Sequence, residues 1–295
     1  MPAPPRVLND RNIPGGVINL VTGDGATGDA LVRHPDVDKV AFTGSTPVGR
    51  RIAAACGELL RPVTLELGGK SSAIVLPDAD LDLLSAGLIR SCLRNTGQTC
   101  YISTRLIVTP ERYDEVVELV GATVAAAQVG DPLDPATVFG PVATAAQRDS
   151  VLGHIRAGIR EGARVVVGGD VEPPLDGGSY VTPTVFADVQ RDHSIAQEEI
   201  FGPVITILPA RDVDDAVAIA NGTRFGLGGI VFGRDEDAAF QVARRVDTGS
   251  IGINFFASNH YAPFGGRHDS GLGVEYGIEG LEAYLVPQSV HRAVR

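Results

Sequence analysis

A cysteine stands in the stretch "NTGQTCYI" (95–102), with an apolar helical pattern before it and a strand-like run after it. A thiolate attacks carbonyl carbon readily, and its acyl adduct is a thioester that water can cleave. Cys100 is therefore a candidate nucleophile. The competing reading is a small buried apolar residue. That second reading suits Cys56, inside "AAACGELL", and Cys92, inside a helical pattern. The three cysteines form no CxxC pair, and an odd number of them fits free thiols in a reducing compartment. The six histidines are scattered, so no metal site is expected. No Ser-centred elbow supports a hydrolase triad.

A second stretch tempts towards nucleotide chemistry. "TGDGATG" (22–28) satisfies G-x-G-x-x-G through Gly23, Gly25 and Gly28, after an apolar run and before a helical pattern. Yet glycine supplies 36 of 295 residues, so a chance match is easy. The acidic residue expected at the end of the next strand is absent, because that strand ends "FTGS". The loop is weighed as turn chemistry ahead of cofactor binding.

Positioning such residues requires alternating strands and helices. Strands are expected at 16–22, 39–44, 62–67, 72–76, 104–109, 163–168, 180–187, 203–209, 229–232 and 249–254. Helices are expected at 26–34, 47–60, 80–94, 111–128, 143–162, 212–221 and 235–245. Such alternation gives an α/β fold with parallel pairing and right-handed crossovers. Turn-rich breaks fall at 131–141 and 172–178. The tail 284–294 reads as an extended strand, held to an edge or a bulge by Pro287.

The bulk numbers bound the function. With 295 residues, 44% of them hydrophobic, the chain can bury a large core. A net charge of −11, with Lys39 and Lys70 the only lysines, leaves no basic face for nucleic acid or anionic lipid. "MPAPPRVLNDRN" has no apolar signal core, and no apolar run reaches membrane-spanning length, so the expectation is a soluble cytoplasmic protein.

Six stretches then carry a family resemblance: "FTGSTPVG" (42–49), "TLELGGK" (64–70), "NTGQTC" (95–100), "EEIFGPV" (198–204), "INFF" (253–256) and "PFGG" (263–266). In this order and at these separations the chain resembles the NAD(P)-dependent aldehyde dehydrogenase superfamily, from about residue 13 onwards. The resemblance implies a partial Rossmann-type cofactor domain (about 1–68), an α/β catalytic domain (about 69–268), and a returning segment with an oligomerisation strand (about 269–295). It implies oxidation of a small-molecule aldehyde to a carboxylic acid with NAD or NADP. Cys100 matches the nucleophile. Glu66 matches the general base that activates water, a task suited to a carboxylate whose pKa is raised by an apolar surround. Thr43, Gly44 and Ser45 match positions near the nicotinamide and pyrophosphate. Leu67 matches a backbone contact to the carboxamide, Glu199 the grip on the nicotinamide ribose, and Phe201 a packing contact. Asn254 matches a residue that supports the active-site loop. A homo-oligomer, dimer or tetramer, is implied as well.

The chain also departs from the family pattern. Neither an "N-P" at a strand end nor a "K-P-[SA]-[ED]" segment is found, although the family uses them for the oxyanion and the adenosine ribose. Val274-Glu275 stands where the family often has Arg-Glu, which puts a surface ion pair in doubt. The alternative to an oxidoreductase is therefore a truncated homologue without dehydrogenase activity. It would retain at most esterase activity or a binding or structural role.

Overall fold

The computed structural model describes residues 14–169 and 175–293. The stretch 1–12 and the start of the 172–178 break lie outside them. In chain order the elements are α1 (Gly25–Arg33), β1 (Val40–Thr43), α2 (Thr46–Glu58), β2 (Val63–Glu66), β3 (Ser72–Val75), α3 (Leu81–Cys92) and β4 (Arg105–Val108). Next come α4 (Tyr113–Ala125), α5 (Ala145–Arg160), β5 (Arg164–Val167), β6 (Thr184–Ala187), α6 (Ser194–Gln197), β7 (Val204–Pro209) and α7 (Val213–Ala220). The last are β8 (Phe225–Gly226), β9 (Gly229–Phe232), α8 (Glu236–Ala243), β10 (Gly252–Ile253), β11 (Arg267–His268), β12 (Gly271–Leu272) and α9 (Gly277–Glu282).

The larger sheet runs β10-β9-β3-β4-β7-β6-β5. All its pairings are parallel except β5 with β6. Both faces are covered, as a parallel sheet requires. Alternation along β3 shows how. Ile74 joins Ile107 and Val231 against Val151 and Ile155 of α5 and Val217 of α7. Ala73 and Val75 point the other way, into a cluster with Leu84 and Leu88 of α3 and Val116 and Val120 of α4. The smaller sheet has the order β1-β2-β12. β1 runs parallel to β2, and Thr43 stands opposite Glu66. β12 is antiparallel to β2, with Gly271 also opposite Glu66. Its small core joins Val32, Val40, Ala55 and Cys56.

Side-chain caps start most of the helices. Asp24, Asp80, Thr144, Asp212 and Asp235 each accept a backbone N–H in the first turn of α1, α3, α5, α7 and α8. Ser45 precedes α2 without making such a bond.

Among the described residues, two expected strands have no partner within the chain. Residues 16–22 form no ladder, and Val17, Ile18, Leu20 and Val21 are 57–70% exposed. Among the described residues no strand lies beside them, and an unpaired strand leaves its backbone groups to water. The tail from 284 to 293 is likewise unpaired, with Leu285, Val286 and Val290 exposed. Apolar composition says that a segment tends to be covered, but it does not supply the edge that covers it. Among the described residues, no helix is long and apolar enough to cross a membrane.

Candidate active site

A cleft of about 540 Å³ opens where the two larger sheets meet. Its lining includes Thr43, Gly44, Ser45, Glu66, Leu67, Cys100, Glu199 and Phe201, so every site residue expected from sequence is brought to one place. Gln98, Thr99, Gln147, Ser150 and Ile200 complete much of the wall.

Cys100 follows a tight turn. Asn95, Thr96 and Gly97 take successive left-handed conformations at φ 55°, 56° and 77°. At Gly97 that geometry meets a second constraint: a Cβ there would run into the carbonyl of Gly202. Glycine thus lets the cysteine loop lie directly on the Phe201–Pro203 loop. Gln147 of α5 secures that second loop, donating from Nε2 to the carbonyls of Ile200 at 3.1 Å and Phe201 at 3.0 Å. Phe201 itself sits at φ 55° with its ring part-exposed.

Cys100 is half-buried, whereas Cys56 and Cys92 are wholly enclosed. Burial pushes the Cys100 thiol up to about 11, and the Glu199 and Glu66 carboxylates add to this, while the backbone N–H groups of Cys100 and Tyr101 pull the other way. Burial alone pushes Cys92 up to about 12. The same two backbone amides are the donors that would meet an oxygen anion formed beside the sulfur.

Glu66 ends β2, is 2% exposed, and neither carboxylate oxygen has a hydrogen-bond partner among the described residues. Burial pushes its pKa up to about 8, with a further push from Glu275. The segment around Glu275, expected at the surface, returns instead to the strand that ends in Glu66. β12 pairs with β2, and Phe264 and Glu275 exchange backbone hydrogen bonds at 2.8 and 2.7 Å. A carboxyl near 8 without a fixed partner can take or release a proton close to neutrality.

The cofactor-facing side is built from backbone as much as from side chains. Ser45 leads into the 13-residue α2 without capping it. A helix start of this kind, with an unused hydroxyl, suits a phosphate. Gly44 donates its N–H to the Glu66 carbonyl at 3.0 Å, tying the turn to β2. The Glu199 carboxylate accepts the Gly69 N–H at 3.1 Å. Leu67 is buried, its N–H donates to Ser270, and its side chain fills the space against Gly49. The residues present therefore fit the nicotinamide and pyrophosphate part of a dinucleotide. The rival loop at 22–28 is different: Asp24 accepts the N–H groups of Ala26 and Thr27, so the α1 terminus is already occupied by a carboxylate.

Asn254 pairs its side-chain amide with both backbone groups of Gly233, at 3.0 and 2.7 Å, and pins the chain after β10 to the end of β9. Sequence reasoning missed Gln147, Lys70 and the approach of Glu275. Gln147 carries no signal beyond its place in the first turn of a helix. Among the described residues no three His, Cys, Asp or Glu side chains gather as a metal set.

A sequence profile of the aldehyde dehydrogenase family matches residues 6–290. The chain belongs to the aldehyde dehydrogenase family. It is 54% identical over 282 residues to a geranial dehydrogenase of Castellaniella defragrans, covering 96% of this chain and 59% of that one. A betaine aldehyde dehydrogenase of Rhizobium leguminosarum is 44% identical over 287 residues, covering 97% and 59%. Among solved structures, a Mycobacterium tuberculosis aldehyde dehydrogenase complexed with NAD+ superposes with a TM-score of 0.91 at 45% identity, over 94% of this chain and 57% of that one. Aldehyde dehydrogenase C of Pseudomonas syringae, bound to NAD+ and octanal, gives 0.90 at 43%, over 95% and 58%. This aldehyde dehydrogenase chain thus spans about 59% of the length of the curated relatives it matches.

Proposed function

We propose that this chain oxidises an aldehyde to a carboxylic acid with NAD or NADP. The observation that carries the reading is the meeting, in one cleft, of a half-buried loop thiol, a carboxylate without a partner and an uncapped helix start. Cys100 Sγ adds to the aldehyde carbon, and the N–H groups of Cys100 and Tyr101 meet the oxygen that becomes negative. When bound, the nicotinamide ring supplies the hydride acceptor. Ser45 and the start of α2 would hold its pyrophosphate, Glu199 the ribose hydroxyls, and Leu67 and Phe201 the ring's surroundings, with Thr43 and Gly44 framing the entry. With the aldehyde C–H bond broken and its hydride passed to that acceptor, Cys100 would carry a thioester. Glu66 takes a proton from water as that water attacks the thioester carbon, and the acid departs with the thiol restored.

The named relatives support aldehydes as the substrate class, and the NAD+-bound neighbours support the cofactor. The exposed apolar residues of the tail support self-association as a homo-oligomer, which light scattering would read.

Two measurements test the reading. Aldehyde-dependent NAD(P)H formation is expected from the chain and is expected to vanish in Cys100→Ala. A burst of an activated ester, which needs no cofactor, is expected from the wild type and not from Cys100→Ala. A burst that survives the substitution would remove Cys100 from the chemistry.

A further inference from the structure

The Gly68–Lys70 turn carries a charge that this chemistry leaves unused. Lys70 is 2% exposed, and its Nζ has no hydrogen-bond partner among the described residues. An ammonium so enclosed calls for a counter-charge. The ionisable groups whose charges act on it are Arg105 on β4, His154 on α5, and Glu198 and Glu199 in the loop after α6.

Three of these cannot serve. Arg105 is itself a buried cation, and its guanidinium is committed to the carbonyls of Lys70, Ile219 and Ala220 at 3.1, 3.0 and 2.9 Å. His154 is held below its usual pKa by burial and by Lys70, and an imidazole has no negative charge to offer. Glu198 is engaged by Arg224 at 2.6 Å. Glu199 remains. It accepts the N–H of Gly69 at 3.1 Å, next to Lys70 in the chain, and a Cβ on Gly68 would strike its carboxylate. The turn is therefore wrapped against this one side chain.

We propose that Lys70 is a positioning residue: its ammonium is the counter-charge that keeps the Glu199 carboxylate ionised, and so able to accept two hydroxyl groups at the cleft. The hydroxyl-gripping part rests on the cofactor reading given above. Opposing influences are balanced at both ends. Burial raises Glu199, while the Gly69 N–H, Lys70 and Arg224 lower it. Burial and then Arg105 push Lys70 down to about 7, against the pull of Glu199 and Glu198. The Glu199 charge also faces Cys100, whose thiol it raises. Without Lys70, Glu199 takes up a proton at higher pH and offers one acceptor oxygen fewer.

The composition makes the test clean. Only two lysines are present, so protein labelled with ¹³C at lysine Cε gives two resonances, and Lys39→Arg assigns them. One resonance is expected to titrate near neutrality. Glu199→Gln is expected to lower that midpoint by about one pH unit, as removing a nearby opposite charge does, and Glu198→Gln by less. In ¹³C-carboxyl spectra, Lys70→Met is expected to raise the Glu199 midpoint by about the same amount, because coupling is reciprocal. If Lys70→Met does not fold, the Glu199→Gln arm reads the same coupling from the other side. A Lys70 midpoint that Glu199→Gln leaves in place overturns the proposal. Calorimetric titration with NAD and NADP separates it from the cofactor reading. A shifted Lys70 midpoint with unchanged cofactor affinity in Glu199→Gln upholds the charge pair and rejects Glu199 as the hydroxyl grip.

Discussion

The starts of α1 and α2 face opposite fates. Both helices follow glycine-bearing turns, "TGDG" and "FTGS". At α1 the Asp24 carboxylate takes the N–H groups of Ala26 and Thr27. At α2 Ser45 makes no cap bond, and the terminus opens into the cleft beside Glu66, whose oxygens are equally unpartnered. The first turn carries the glycine pattern associated with dinucleotides, yet the second is the one whose cap position is left open. A glycine pattern reports where backbone can bend. Whether its N–H groups are available to a ligand depends on the next side chain. A corner that satisfies its own groups gains stability, and a cleft that leaves them open gives stability up.

Glu66→Gln is expected to act most strongly on that contrast. Deacylation should slow by about a hundred- to a thousandfold, in line with the loss of a general base, while the ester burst persists. Wild-type deacylation should climb with pH through about 8, as the carboxylate forms, and the variant should lack this limb. Stability should move the other way. The raised pKa means that the folded chain binds more protons than the unfolded chain between about 4.5 and 8, so the group costs stability as pH rises through that window. The variant should melt higher above pH 8, by about 1–2 kcal/mol once solvent screening at the cleft is discounted. Stopped-flow kinetics and melts at pH 5 and 9 check both signs.

Ser45→Asp would give α2 the cap that α1 already has. NAD(P) affinity is expected to fall about tenfold or more through repulsion of the phosphates, with an unchanged or slightly higher melting temperature. Calorimetry and a thermal melt read the two together. Asp24→Ala is the converse and the smallest: a loss of about 1 kcal/mol of stability from the missing cap, with no change in cofactor affinity. A change in affinity would bring the 22–28 loop back as a cofactor site.

The readings from sequence divide along physical lines. The strands that became β1 to β4 and the helices between them were legible, because period-2 and period-3.6 apolarity map onto a sheet with covered faces. Cys100, Glu66, Ser45 and Glu199 were legible because motif order placed them on one cleft. The apolar run at 16–22 was misread for want of a partner strand, which no local pattern contains. β11 and β12 are too short to leave a period. α9 begins after Tyr276 at φ 60°, a non-glycine in left-handed conformation that gives no start signal. Lys70 was invisible as a buried group, since lysine is ordinarily exposed and only its neighbours reveal otherwise. Glu275 read as a surface charge because its approach to Glu66 depends on β12 returning to β2.

That return also sets a clock. Glu66 and Gly271 are paired although they lie roughly two hundred residues apart, the kind of separation that makes a contact late and slow to close. Chains leave the ribosome from the N-terminal end, and early segments settle first. Glu66 and Cys100 therefore emerge long before the strand that pairs with β2 at Glu66. Until Gly271 and Glu275 thread back, the β2 edge stands open and the Glu66 carboxyl is wet, with an ordinary affinity for protons. The nascent polypeptide carries the nucleophile and the base as separate, undistinguished side chains, and the pair is armed only once the 271–275 segment has been made.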